Sequence, residues 1–265
     1  MGKTHSYSVF FGGIGLIIIC SLEEIQLTDM NKLIEVWKAS YFTDPLLTIV
    51  LIILLIIALK KRKNYPQFKL FPIYFALFII LKLEQFIYFP FFYRGVHPAF
   101  YVRLYNYFDC LVTLSEFFVF MYFFYSILNG SKLKKIIIAL TTVGLIIFFF
   151  IIFHDLFSYQ KLEYVSLNNI YIIELLILLL SCSFYYIELF RSNPVLKLTN
   201  TPDFWVAGGL TFYLACTLPI TIIIPYIFKT NSLLYLNLYS IIYLFYILLF
   251  LMTIRAYLCK PEKTI

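Results

Sequence analysis

Four ionisable side chains lie well inside long apolar runs of this sequence, where a charge is costly to bury. They are Lys82, Glu84, Glu116 and Glu174. Ionisable residues are rare in membrane-spanning segments, and those that occur mark ligand sites, ion pathways or proton relays by default. The chemistry that these residue types support is reversible binding of a proton or of a small polar ligand.

The four charges are predicted to lie at similar depths in a membrane. We take the midpoint of each apolar run as the helix centre, with a rise of about 1.5 Å per residue. Lys82 and Glu116 then lie within roughly 3 Å of the midplane. Glu84 lies roughly 5 Å and Glu174 roughly 8 Å from it, on the same outer side. Because neighbouring helices run in opposite directions, we expect one shared polar cavity that faces outward.

The spacing of polar residues extends this cavity to further helices. Asp109, Thr113 and Glu116 lie at i, i+4 and i+7, which is one face of a helix. The sixth and seventh runs carry polar or phenolic stripes, which favour the bundle interior because lipid offers no hydrogen bonds. The candidate residues for binding a ligand or a proton are Lys82, Glu84, Asp109, Thr113, Glu116, Glu174, Thr217, Tyr239 and Tyr243.

Lys82 and Glu84 are predicted to face different directions. They are two positions apart, which is about 200° around a helix. We expect Lys82 to pair with Glu116 or Glu174, and Glu84 to reach the outer interface. A structural interpretation stays open beside this one, since a buried lysine–carboxylate pair can fix helix packing and bind nothing. The tyrosines of the seventh run likewise suit packing as well as a ligand site.

The composition predicts that most of the chain is embedded in lipid. Of 265 residues, 62% are hydrophobic and 13% are charged, and the mean hydropathy is +0.90. A soluble domain is nearer one quarter charged. The abundance of Phe, Ile, Tyr, Lys and Asn is typical of an AT-rich genome, which favours a bacterial inner membrane. With 30 Phe and 23 Tyr against 9 Gly, helix packing must rely on aromatic side chains.

The predicted fold is an all-α bundle of seven transmembrane helices, spanning residues 43–258 and followed by a short tail, 259–265. Residues 1–42 precede it and include an amphipathic interfacial helix at Thr28–Ser40. The apolar segments are Thr43–Leu59, Leu70–Phe91, Tyr105–Leu128, Leu133–Phe153, Asn169–Phe190, Pro202–Phe228 and Ser232–Leu258.

The apolar run Val9–Cys20 is too short for a comfortable span. It resembles the core of a signal peptide, but it lacks a clear cleavage site. Residues 1–21 could therefore be a signal peptide, an extra helix or a misassigned start. An uncleaved helical piece, an eighth short helix, is the interpretation that we favour.

The distribution of basic residues predicts the orientation. Lys and Arg concentrate in alternate loops, beginning with Lys60–Lys63 after the first segment and ending with Arg255 and Lys260 near the C-terminus. The intervening loops carry few. The positive-inside rule then places the amphipathic helix outside and the C-terminus in the cytoplasm.

Several classes of function are disfavoured. The net charge of +7 lies in loops beside apolar runs, where it reports orientation, so no nucleic-acid partner is expected. The five cysteines show no metal-ligand spacing, and neither HExxH nor GxSxG occurs. We predict no catalytic residue, no cofactor and no metal site. The seventh segment contains no lysine for a retinal Schiff base.

The function that these features favour is that of a sensor or receptor. Its outward-facing cavity would bind a small molecule or a proton, and a separate cytoplasmic or membrane partner protein would carry the signal onward. The alternative is a small proton- or cation-coupled transporter that uses the same carboxylates. A membrane-embedded enzyme without a recognisable motif is the third interpretation.

Overall fold

The computed structural model of this chain describes the backbone of residues 7–8, 19–20, 45–93, 98–157, 164–191, 200–230 and 232–259. Side chains are described for residues 45–83, 107–153, 168–191, 200–227, 234 and 237–259. Within these ranges the chain is α-helical, apart from short turns, 3₁₀ segments and one pair of two-residue strands.

Along the described chain, seven helices follow one another, and each coincides with a predicted apolar segment. They are α1 (residues 45–61), α2 (Phe71–Tyr93), α3 (Pro98–Ile127), α4 (Ser131–Phe157), α5 (Tyr164–Arg191), α6 (Pro202–Thr230) and α7 (Ser232–Leu258). Two 3₁₀ turns, Arg62–Asn64 and Pro66–Phe68, join α1 to α2. Six of these helices, α2 to α7, are long and apolar enough to cross a membrane. The described part of α1 is shorter.

The polarity of the bundle is the reverse of that of a soluble protein. Large apolar side chains cover the outside, and Phe150 and Ile146 on α4 are 69% and 62% exposed. Charged side chains lie inside, where Lys82 and Glu116 are 1% and 4% exposed. Lipid stabilises apolar surface of this kind and disfavours exposed charge, so the arrangement suits a multi-pass membrane protein.

Five helices surround the centre of the bundle. Contacts join α2 to α3, α3 to α5, α5 to α6 and α6 to α7. The ring closes where Tyr74 and Phe75 of α2 pack against Phe250 of α7. Helix α4 packs on the outside of α3 and α5, and only 17% of its span is buried, against 56% for α3.

Hydrogen bonds gather the basic loops at one end of the bundle. Lys61 Nζ, at the end of α1, donates to the carbonyl of Tyr257 at the end of α7 (2.6 Å). Gln67 Nε2, in the α1–α2 connection, donates to Asp203 Oδ1 at the start of α6 (3.0 Å). The carboxylate of Glu188, near the end of α5, accepts from a backbone N–H of the α3–α4 turn (2.8 Å). We call this the basic end.

The basic end is also closed by the C-terminal segment. The hydroxyl of Tyr65 donates to the carbonyl of Cys259, directly after α7. Burial raises the pKa of Tyr65 above its ordinary value, so the hydroxyl keeps its proton at physiological pH and remains a donor. This bond ties the α1–α2 connection to the end of α7.

Two predictions concern the N-terminal residues. The helix predicted over Val9–Cys20 is wrong at its last two residues, because Ile19–Cys20 pairs as an antiparallel strand with Tyr7–Ser8. Isoleucine is β-branched and fits a strand well, which accounts for the difference at this position. The rest of Val9–Cys20 and the amphipathic helix Thr28–Ser40 lie outside the described residues.

Candidate functional site

A cavity of about 90 Å³ lies between α2, α3, α5, α6 and α7. A buried water needs about 10–15 Å³ of such space, so the cavity has room for roughly six waters or one small organic molecule. The lining residues lie near the middle of α2 and α3, in the first half of α5, mostly in the second half of α6 and mostly in the first half of α7. The cavity therefore lies near the middle of the bundle, displaced away from the basic end.

The structure brings most of the candidate residues together. Eight of the nine line the cavity, namely Lys82, Asp109, Thr113, Glu116, Glu174, Thr217, Tyr239 and Tyr243. The side chain of the ninth, Glu84, lies outside the described residues. The polar layer expected from the sequence is thus a shared compartment in the fold, while ligand binding by these residues stays a prediction.

Glu116 is held by two tyrosines. The Tyr74 hydroxyl donates to Oε2 at 2.9 Å, and the Tyr246 hydroxyl lies 3.1 Å from Oε2 and 3.4 Å from Oε1. The ring of Tyr213 packs on that of Tyr246, with the ring centroids 4.3 Å apart. Hydrogen bonds from hydroxyls stabilise a buried carboxylate and fix its rotamer. Glu116 therefore links α2, α3 and α7.

Asp109 lies one and a half to two turns from Glu116, on the same face of α3. Its Oδ2 accepts a 2.5 Å hydrogen bond from the hydroxyl of Tyr171 on α5. Thr113 donates back to the carbonyl of Asp109 at 2.9 Å. The face predicted from the i, i+4, i+7 spacing is thus the face that lines the cavity.

Lys82 contacts α7. Its Nζ donates to the Tyr243 hydroxyl at 2.8 Å and lies 4.1 Å from the centre of that ring. Its charge also interacts with that of Asp109. The contact with Tyr243 was not predicted from the sequence, and the pairing of Lys82 with Glu116 or Glu174 stays a prediction.

Two buried oxygen atoms at the cavity have no hydrogen-bond partner among the described residues. They are Oε1 of Glu174 on α5 and Oγ1 of Thr217 on α6, and the latter lies beside the hydroxyl of Tyr213. Their side chains are 3% and 2% exposed. Buried polar atoms in native proteins are nearly always paired with protein or with ordered water. The cavity is large enough for ordered water or a guest molecule to pair with these oxygens.

Residues that complete the site were not in the predicted set. Tyr74 and Asn168 were missed, although helical spacing could have found both. Tyr74 precedes Lys82 by eight positions, two turns down the same face of α2. Asn168 precedes Tyr171 by three positions, on the same face of α5, and both line the cavity. Tyr74 was overlooked because its surroundings in the sequence are entirely apolar.

Aromatic rings fill the bundle between the cavity and the basic end. Phe78 packs on Phe250 with ring centroids 6.0 Å apart, and further rings follow toward the basic end. Pairs below this level include Phe75–Phe250 at 5.9 Å, Phe71–Phe120 at 5.5 Å and Phe68–Tyr257 at 5.1 Å. All of these side chains are at most 5% exposed. We call this layer the aromatic floor.

Comparison of the chain with protein-family models, with curated proteins and with solved structures finds no match. Function is therefore inferred from the cavity. Its described lining offers carboxylates, hydroxyls and one ammonium group, all suited to binding a polar guest or exchanging protons.

Proposed function

We propose that this chain is a seven-span protein of a bacterial inner membrane, with its N-terminal amphipathic helix outside and its C-terminus in the cytoplasm. It acts as a sensor that binds a small molecule or a proton in an outward-facing cavity. A separate cytoplasmic or membrane partner protein binds its basic end and carries the signal onward.

The seven-span topology is supported by charge and by length. Six helices are long and apolar enough to cross a membrane, and α1 supplies the seventh span. Lys61 and the other basic residues of the α1–α2 connection lie at the same end as the end of α7. Loops rich in Lys and Arg stay in the cytoplasm, so the basic end is the cytoplasmic end and the cavity faces outward.

The observation that carries the binding role is the pair of unpaired oxygens in the cavity. A structural ion pair would be expected to satisfy its own polar atoms, since unsatisfied buried groups cost free energy. Glu116 and Asp109 meet that expectation, because tyrosines donate to both. Glu174 and Thr217 do not, and both belong to the cavity lining. A site kept open for a guest accounts for the difference.

The aromatic floor favours a sensor over a transporter. A transported solute must pass the whole bundle, whereas rings from Phe78 down to Phe68 fill its centre below the cavity. A guest that enters from outside would change the packing of this layer without crossing it. The floor then couples the cavity to the basic end, where a partner would bind.

One observation favours transport as the second candidate function. Helix α6 contains Pro219 and Pro225, which flank the lining residues Thr221 and Ile224. Proline removes a backbone hydrogen bond and loosens a helix, and broken helices form the binding sites of many transporters. Movement of the half of α6 away from the basic end would let the cavity open alternately to the two sides of the membrane.

Two assays on the full chain separate these functions. Thermal unfolding in lipid nanodiscs is measured with a panel of small amines, amino acids, carboxylates and sugars. Uptake of the stabilising compounds into proteoliposomes is measured with an inward proton gradient. A sensor is stabilised by one chemical class and shows no uptake above empty liposomes. Uptake that needs the gradient and is lost in Glu116→Gln would overturn the sensor function and establish transport.

A further inference from the structure

We propose that the guest of this cavity is a small organic ammonium ion, held between Glu174 and Thr217 and enclosed by tyrosine rings. This inference rests on the proposed function, because it requires that the cavity binds a small molecule. It adds the charge and the chemical class of that molecule, together with the two residues that anchor it.

The charge balance of the cavity favours a cation. Among the described residues that line it, Lys82 supplies one ammonium group. Asp109, Glu116 and Glu174 supply three carboxyl groups. Asp109 is matched by the charge of Lys82 and by the Tyr171 hydroxyl. Among the described residues, Glu116 is hydrogen-bonded by the hydroxyls of Tyr74 and Tyr246. The lining thus carries an excess of acidic groups, which a guest cation or a bound proton would neutralise.

Glu174 is the carboxylate placed to receive that cation. Its Oε1 has no hydrogen-bond partner among the described residues, although the side chain is 3% exposed. Thr217, on the adjacent helix α6, presents the second unpaired oxygen. A carboxylate and a hydroxyl oxygen together match an ammonium group, which has several N–H donors and no acceptor. An anionic guest would instead need Lys82, which Tyr243 already engages.

The walls of the cavity distinguish an organic ammonium ion from an inorganic one. Tyr213, Tyr239, Tyr243 and Tyr246 line it together with apolar side chains such as Ile242. Aromatic faces attract alkylammonium ions and also accommodate their carbon atoms. A metal ion is disfavoured, because no three His, Cys, Asp or Glu side chains of the described residues are grouped so that they could hold one. With room for roughly six waters, the cavity fits an ion of about four to seven heavy atoms.

The test compares guests of equal size and different charge. Wild-type protein in nanodiscs is titrated calorimetrically with propylammonium, 1-propanol and propionate, at constant ionic strength set with sodium chloride. Choline is the larger ammonium probe, and sodium and potassium are each titrated in a separate buffer that contains neither ion. We expect propylammonium to bind at least about tenfold more tightly than propanol or propionate.

Two variants locate the anchor. Glu174→Gln keeps the shape and removes the charge, and should weaken propylammonium binding about tenfold or more. Glu188→Gln is the matched control on the same helix: its Oε2 is also buried and unpaired among the described residues, but Glu188 lies outside the cavity. This control should bind propylammonium within twofold of wild type. Thr217→Val serves as a second cavity variant if Glu174→Gln does not fold.

The outcomes separate this inference from the proposed function. Equal or tighter binding of propanol, of propionate or of a metal ion would overturn the ammonium inference and leave a small-molecule cavity in place. Equal losses in Glu174→Gln and Glu188→Gln would also overturn it, because the anchor would lie elsewhere. Binding of no probe, with no compound of the wider panel stabilising the protein, would contradict both proposals.

Discussion

The hydroxyl of Tyr74 donates a 2.9 Å hydrogen bond to Oε2 of Glu116 in the interior of the bundle. The two residues lie on α2 and α3, and both are at most 4% exposed. Together with Tyr246, this bond holds the Glu116 carboxylate at the border between the cavity and the aromatic floor. A movement of the floor would therefore shift the Glu116 carboxylate, and a change of charge at Glu116 would change the packing of the floor.

Tyr74→Phe removes that hydrogen bond while keeping the ring. We expect the free energy of unfolding to fall by about 1–2 kcal/mol, because a buried carboxylate loses one of its two tyrosine donors. The measurement is unfolding by sodium dodecyl sulfate in mixed micelles. Tyr107→Phe, at a residue of α3 that is 48% exposed, is the control and should be neutral. Equal effects of the two substitutions would show that the Tyr74–Glu116 bond contributes nothing.

Lys82 and Asp109 are predicted to be energetically coupled. Lys82→Met or Asp109→Asn alone leaves a buried charge without its opposite partner, which should cost about 3 kcal/mol. The double variant should be more stable than the sum of the two losses predicts, with a coupling of about 1–3 kcal/mol. A cycle of Lys82→Met with Glu188→Gln, at the other end of α5, should be additive. Additivity in both cycles would contradict the pairing.

Gly144 is predicted to set how closely α4 approaches α3 and α5. A Cβ at this position would lie 2.7 Å from Phe117 Cζ and 3.0 Å from Ile177 Cδ1. Gly144→Ala should therefore lower the free energy of unfolding by about 1–3 kcal/mol. Gly208→Ala is the matched control within α6, since its nearest neighbour would be the Tyr186 hydroxyl at 3.8 Å. It should be neutral or stabilising by up to about 1 kcal/mol. A larger loss of stability in Gly208→Ala than in Gly144→Ala would show that α4 does not approach α3 and α5 this closely.

The orientation is tested with reporter fusions. Green fluorescent protein fused after Ile265 should fluoresce and alkaline phosphatase at the same position should be inactive, because the proposed C-terminus is cytoplasmic. Phosphatase inserted after His97, between α2 and α3, should be active. An active phosphatase at Ile265 combined with an inactive one at His97 would invert the bundle and place the cavity on the cytoplasmic side.

How far the sequence predicts this site depends on the residue. Asp109, Thr113 and Glu116 were placed correctly because spacing along one helix fixes a shared face. The predicted separation of Lys82 from Glu84 follows from the same geometry and stays a prediction, because the side chain of Glu84 lies outside the described residues. The contact of Lys82 with Tyr243 was not predicted, because sequence spacing says nothing about which helices are neighbours in a ring. That order depends on packing between distant segments, here on rings such as Phe250 of α7 against α2.

The aromatic residues show the same limit. The chain contains 23 tyrosines and 30 phenylalanines, so their presence at a helical spacing identifies no single site. Tyr74 and Tyr125 both stand in apolar sequence, yet one is buried against Glu116 and the other is 41% exposed. Hydropathy cannot separate them, since a tyrosine ring suits lipid and its hydroxyl suits a buried acceptor. The presence and order of the helices were easier, because runs of apolar residues indicate them locally, although α3 begins at Pro98 and not at the predicted Tyr105.

The central claim is that Thr217 and Glu174 line a wet compartment that small cations enter. The test of this claim is thiol labelling with the cationic reagent methanethiosulfonate ethylammonium. The full chain is labelled in nanodiscs, and the number of labels is measured by mass spectrometry. Thr217→Cys should gain one label beyond the native cysteines, and propylammonium should slow its labelling. Thr253→Cys is the control, since Thr253 is 1% exposed on α7 and lies outside the cavity lining. Labelling of Thr217→Cys no faster than that of Thr253→Cys would contradict the claim and leave the buried charges with a packing role alone.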